Sequence, residues 1–204
     1  MKLSEHLLGI ALVEESSEVV GDALEGVLTR YGPVERRRFN SWSEARETLV
    51  PLRSFPTRYL VIPLESWTAI VCDMSCEVCH VDALAISGRL QRRALSAAMR
   101  DSARSFHLVE DGKEVRSILA YEDGPRWTFF QEGVTQPWEE VDAYRKRSPR
   151  DRLTPDRVSA YCRAVTGLQL PPEWNTLAGP FLGLGRSTAS LRVPVRDQDV
   201  EIDL

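Results

Sequence analysis

No apolar run of the chain approaches the ~18 residues that a membrane-spanning helix requires, so the sequence predicts no membrane partner. The apolar stretch Leu7–Val13, preceded by Glu5 and His6, is too short and too poorly flanked for a secretory leader and reads as a buried strand. A cytoplasmic protein with reduced cysteines follows from that reading. A basic excess is missing as well: 26 Lys and Arg face 30 Asp and Glu, a net charge of −4. That balance counts against a nucleic-acid partner and suits solubility or a basic protein partner. Internal repeats, low-complexity tracts and an inter-domain linker are also lacking. The chain therefore reads as one domain over residues 1–204, helical and loop-rich from about 137. A chain of this size buries roughly 70% of its unfolded surface and needs neither metal nor disulfide to be stable.

Catalytic signatures are equally scarce. The three histidines, His6, His80 and His107, have no spaced partner that makes a triad. The carboxylate pairs Glu14-Glu15 and Glu139-Glu140 are adjacent, which points their side chains apart on a strand or helix. Gly183-Leu-Gly185-Arg-Ser187 lacks the third glycine and the Lys-Ser/Thr pair of a phosphate cradle, and reads as a turn. The expectation is a protein with no catalytic residues and no resident cofactor.

What is present is an α+β pattern. Val19, Val20, Ala23, Leu24, Val27, Leu28 and Tyr31 recur at helical spacing and predict a helix over about Ser17–Tyr31, stopped by Gly32-Pro33. Val34–Phe39 alternates with charge, as an edge strand does, and Ser41–Leu52 reads as a short helix. Tyr59–Leu64 and Trp67–Cys72 predict a hairpin with Pro63 at an edge or strand end. A helix is expected over Ser87–Arg104, with Leu90, Ala94, Leu95, Ala97, Ala98 and Met99 inward. Its outer stripe, Arg89, Arg92, Arg93, Arg100 and Arg104, reads as a solvated face. Phe106–Glu110, Val115–Tyr121 and Arg126–Gln131, parted by Asp111-Gly112 and Asp123-Gly124, predict a three-stranded meander. Trp127-Thr-Phe-Phe130 carries aromatics on both faces, the pattern of a central strand. Trp138–Arg147 reads as a helix, and a second runs from Thr154-Pro155 to about Val165, with Gly167 beyond its end. A late strand is expected near Ser190–Val195. The fold class is α+β: a mixed, largely antiparallel sheet with a meander and helices packed on it.

One stretch hints at specific chemistry. Cys72-Asp-Met-Ser-Cys76-Glu-Val-Cys79-His80 holds three of the four cysteines in nine residues. Thiolates and imidazoles are ligands for transition metals. Cys72-x3-Cys76-x2-Cys79 resembles the cluster-binding loop of radical SAM enzymes, and Cys76-x-x-Cys79-His80 resembles the c-type haem attachment pattern. The first resemblance lacks the chain length of such a barrel, and the second lacks an export signal. Cys72, Cys76, Cys79 and His80 stand as an alternative reading, a metal or iron–sulfur site in a redox protein. Reduced thiols in a strand-to-helix connection are the plainer one.

A further stretch is Trp127-Thr-Phe-Phe-Gln-Glu-Gly133, Pro137-Trp-Glu-Glu140, Tyr144, Arg147 and Asp151-Arg-Leu-Thr154. It resembles a segment of small bacterial α+β proteins, some of them immunity proteins encoded beside polymorphic toxins. The resemblance covers about a quarter of the chain and carries no catalytic signature. It implies a non-catalytic protein that occludes a protein partner, a toxin in that setting.

Overall fold

Nine strands pair into one sheet in the computed structural model, which describes residues 9–47, 58–72, 76–169, 177 and 179–186, with backbone alone at 46, 47, 76–79 and 186. In chain order the elements are β1 (Gly9–Val13), α1 (Ser17–Leu28), β2 (Val34–Phe39), α2 (Trp42–Glu47), β3 (Arg58–Leu64), β4 (Trp67–Cys72) and α3 (Cys76–Leu90). Then come β5 (Ala94–Met99), β6 (Ala103–Glu110), β7 (Lys113–Asp123), β8 (Arg126–Gly133), α4 (Pro155–Thr166) and β9 (Phe181–Arg186). The order across the sheet is β2-β9-β3-β4-β1-β5-β6-β7-β8. The α+β class stands, but the sheet is not mixed: each strand pair is antiparallel.

Burial explains the central strands. All five residues of β1 and all six of β4 are buried, so these runs are apolar on both faces. One face carries Leu12, Leu60, Ile62, Val71, Leu95, Phe106 and Ile118 against α2 and α4. The other carries Ala11, Val13, Val61, Ile70 and Val109 against α1 and α3. Each fully buried Ile, Leu or Phe contributes roughly 1.5–3 kcal/mol, and the two layers together hold the sheet between helices.

Local rules account for several boundaries. Leu64 faces Trp67 across a tight turn in which Glu65 adopts φ 53°. Pro63 sits beyond the last residue of β3 that pairs with β9, so its missing N–H interrupts no ladder bond on that side. Thr154 accepts from the Arg157 N–H as N-cap of α4, Pro155 is its first residue, and Gly167 closes it at φ 77°. The inner face of α4 is Val158, Tyr161 and Cys162.

Other expectations are corrected. There is no helix over Ser87–Arg104: α3 ends at Leu90, Gln91 turns at φ 53°, and Ala94–Met99 is strand β5, buried between β1 and β6. Alanine's helix preference loses to pairing and burial between the two neighbouring strands. The arginine stripe consequently does not exist as a face. Arg92 and Arg93 pair with Glu15 and Glu14, while Arg104 lies buried with its guanidinium over the Trp127 ring. Val19 and Tyr31, expected inside, are exposed. Trp138–Arg147 is no α-helix but a 3₁₀ segment at Val141–Arg145. Gly183 and Gly185 lie in strand β9, not in a turn. A Cβ on Gly183 would come within 2.6 Å of the Phe39 ring, so glycine lets β9 pass over that ring. Trp127–Phe130 is in an edge strand, since β8 ends the sheet among the described residues. The expected strand near Ser190–Val195, and the part of the second helix beyond residue 47, lie outside the described residues.

Candidate functional site

A polar row crosses the sheet under α3. Ser96 on β5 faces His107 on β6, and His107 faces Ser117 on β7, all three buried. The Asp111-Gly112 turn joins β6 and β7, with φ 50° and 76° at its two residues. Its register sets Glu114 opposite Val109, hence on the face that His107 shares. A bulge follows: Leu108 faces Arg116, leaving Val115 extra. The added residue keeps both Glu114 and Ser117 on the α3 face and sends Arg116 to the opposite one.

His80, on the second turn of α3, completes the cluster. Its ring stacks on that of His107, with centroids 3.9 Å apart and planes 27° apart. Nε2 of His80 lies 2.9 Å from Glu114 Oε2, and Nδ1 of His107 lies 3.0 Å from the same oxygen. Ser96 Oγ sits 3.2 Å from the remaining His80 nitrogen, and Ser117 Oγ sits 3.0 Å from His107 Nδ1. Since a carboxylate only accepts, each imidazole turns an N–H toward Glu114 and the Ser96 hydroxyl donates to His80 Nδ1. Burial disfavours the charged form of both rings. It lowers the His80 pKa, and with the neighbouring His80 it pushes His107 down to about 4. Near neutral pH both rings are uncharged.

The dock between α3 and the β6–β7 turn positions His80. Ser87 Oγ accepts from the Gly112 N–H at 3.0 Å and donates to the Arg92 carbonyl. Gly88 and Gly112 pass so closely that a Cβ on Gly112 would lie 2.6 Å from the Gly88 Cα. Ser96, His80 and Glu114 form a hydroxyl–imidazole–carboxylate chain. Ser96 is 2% exposed in the middle of β5, where no substrate reaches it, so it is not a nucleophile.

Of the four residues the sequence singled out, Cys72 is buried at the end of β4, on the α1/α3 face. Cys76 and Cys79 belong to α3, with side chains outside the described residues. His80 is engaged by Ser96, His107 and Glu114. Sequence reasoning missed His107 and Glu114. The Asp-Gly hairpin signal puts those two on one face, but nothing in the sequence brings α3 over them.

On the opposite face Arg116, 2% exposed, is held by five acceptors. Glu139 takes two bonds, at 2.8 and 2.7 Å, Gln131 takes one at 2.6 Å, and the Glu132 and Gly133 carbonyls take one each at 3.1 Å. Tyr144 donates to Glu139 and contacts Tyr161, and burial followed by that contact raises the Tyr144 pKa. With every member bonded, the network fastens the segment around residues 136–161 to the sheet. Three carboxylates line a shallow depression beside it: Glu139 is tied to Arg116 and Glu140 to Arg157, while Asp142 is exposed and pairs loosely with Arg145.

Among the described residues no helix covers this face of the sheet beyond the polar row. Leu119 faces Phe130 and Tyr121 faces Thr128 across β7 and β8, on the face of Ser117. Phe130 is 47% exposed and Tyr121 39%. No described helix crosses a membrane by length and apolarity. No family model, curated protein or solved structure matches the chain.

Proposed function

We propose that the protein acts by binding a protein partner, without catalysis, through β8 and the open face beside it. The supporting observation is the contrast between the two edges of the sheet. β2 is guarded in the way natural edge strands are: Arg36, Arg37 and Arg38 project from it and pair with Asp22, Glu25, Glu44 and Glu18. β8 has an aromatic centre, no strand on its outer side among the described residues, and Phe130 half out of the surface. An extended partner segment would add to β8 through main-chain hydrogen bonds, its side chains covering Leu119, Tyr121 and Phe130. A stable interface of this kind buries about 800 Å² per partner.

β8 is also where the resemblance to immunity proteins begins, which favours occlusion of a toxin as the form of binding. A reducing cytoplasm suits the buried thiol of Cys162. The test is purification of the tagged chain from its native host, wild type beside Phe130→Glu. Recovery of a protein encoded beside its gene with wild type, and its loss from a folded variant, is the expected result. Recovery of wild type as a lone monomer, or equal retention by both, would refute this surface.

A further inference from the structure

We propose that His80, His107 and Glu114 form a site for one divalent transition metal ion, with zinc the fitting choice. The ligands are His80 Nε2, His107 Nδ1 and a Glu114 carboxylate oxygen. These ligand atoms lie within 4.8 Å of one another although they come from α3, β6 and β7. Two imidazoles and one carboxylate are a borderline donor set, suited to zinc and poorly matched to the all-oxygen shells of magnesium or calcium. Three protein ligands leave one tetrahedral position for water or an exogenous group.

The geometry requires a small change. Zinc–nitrogen and zinc–oxygen bonds of about 2.0–2.2 Å put tetrahedral donors roughly 3.4 Å apart. The present nitrogen–oxygen separations of 2.9 and 3.0 Å are those of hydrogen bonds. An ion entering here takes the place of the two bridging protons, which move to the opposite ring nitrogens, His80 Nδ1 beside Ser96 Oγ and His107 Nε2; it spreads the donors by a few tenths of an ångström and splays the stacked rings. Glu114, whose side chain is 29% exposed, is the side from which the ion arrives and the ligand freest to move.

The surroundings favour the exchange. His80 and His107, with side chains only 21% and 10% exposed, are held by α3 and the sheet with their rings stacked, so the donors are in place before an ion arrives. Ser96 serves as an outer-shell partner: its hydroxyl can accept from His80 Nδ1–H, leaving the Nε2 lone pair for the metal. Ser117 Oγ also lies beside the donors, 3.0 Å from His107 Nδ1. The competing explanation is a hydrogen-bonded imidazole pair that merely fills the gap beneath α3. An isolated core pair does not require both rings to turn a nitrogen on one carboxylate oxygen that opens to solvent.

The test is titration of the full chain, stripped by chelator, with zinc by calorimetry and with cobalt(II) by visible absorbance. One ion per chain and tetrahedral cobalt bands are expected. Glu114→Gln and His107→Gln should each weaken binding at least ~10-fold, a loss that removal of even an outer-shell partner can cause. Cys76→Ser/Cys79→Ser should leave binding unchanged, which separates this site from one built on the cysteines; His80 belongs to both sets and does not discriminate. Circular dichroism reports folding, and if His107→Gln does not fold, Glu114→Gln decides. Absence of stoichiometric binding, binding indifferent to Glu114→Gln, or binding lost only in the cysteine variant overturns the proposal.

Discussion

Lowering the pH tests the buried imidazole pair directly. His107 titrates at about 4 in the folded protein, against 6.5 when unperturbed. Above pH 6.5 the folded and unfolded chains hold the same number of protons on this residue, and its neutral burial carries no pH-dependent cost. As the pH falls below 6.5 the unfolded chain takes up a proton that the folded one refuses, so stability declines until about pH 4. A shift of that size corresponds to about 3 kcal/mol in total, with a slope of up to ~1.4 kcal/mol per pH unit. His80, lowered for the same reason, adds in the same direction, while Glu114 faces both rings and moderates the loss. Glu15, held low by the Ser16 N–H and Arg92, weakens the protein only as the pH approaches the carboxylate range. The informative window is therefore pH 7 to 5. Urea unfolding of the chelator-treated protein at half-unit steps measures it, with His80→Gln/His107→Gln as the control that flattens the curve. A wild-type curve flat across the window, or a slope that persists in the double variant, would show that the rings are not buried as described.

Two further substitutions probe the supports of the two faces. Glu139→Ala leaves Arg116 buried with an unpaired charge, and should cost about 3–5 kcal/mol in urea unfolding. Replacing both partners by apolar residues of similar size, Arg116→Met with Glu139→Leu, should cost much less than the sum of the single changes. Gly112→Ala forces a side chain onto the Gly88 backbone at φ 76°, costing roughly 1–3 kcal/mol and loosening α3. Thermal melts give the cost, and faster amide exchange in α3 reports the loosening.

Short-range rules made much of the chain readable. The Thr154 cap, the Asp-Gly turns and the hairpin at Glu65-Ser66 depend on neighbours within a few residues, and each stands where the pattern puts it. Ala94–Met99 reads as helix because alanine, leucine and methionine favour one, and only its neighbours β1 and β6 make it a strand. Trp127–Phe130 reads as central because it carries aromatics on both faces, yet β8 lies at the edge of the described sheet. Trp127 and Phe129 pack under Arg104, Arg150 and Arg152, whereas Phe130 faces outward.

The sequence by itself determined the α+β class, the turns and the capped helix, because local sterics and hydrogen bonding are written into adjacent residues. It also drew attention to His80, through the cysteines beside it. Tertiary structure alone decided what His80 meets. The hairpin carries His107 and Glu114 on one face, the Val115 bulge keeps Ser117 with them, and the Gly88–Gly112 approach lays α3 across the row. The hairpin is local and its Asp-Gly turn is legible in the sequence, but the approach of α3 is a contact between residues far apart in the chain, set by how helix and hairpin fit together, and no spacing along the chain encodes it.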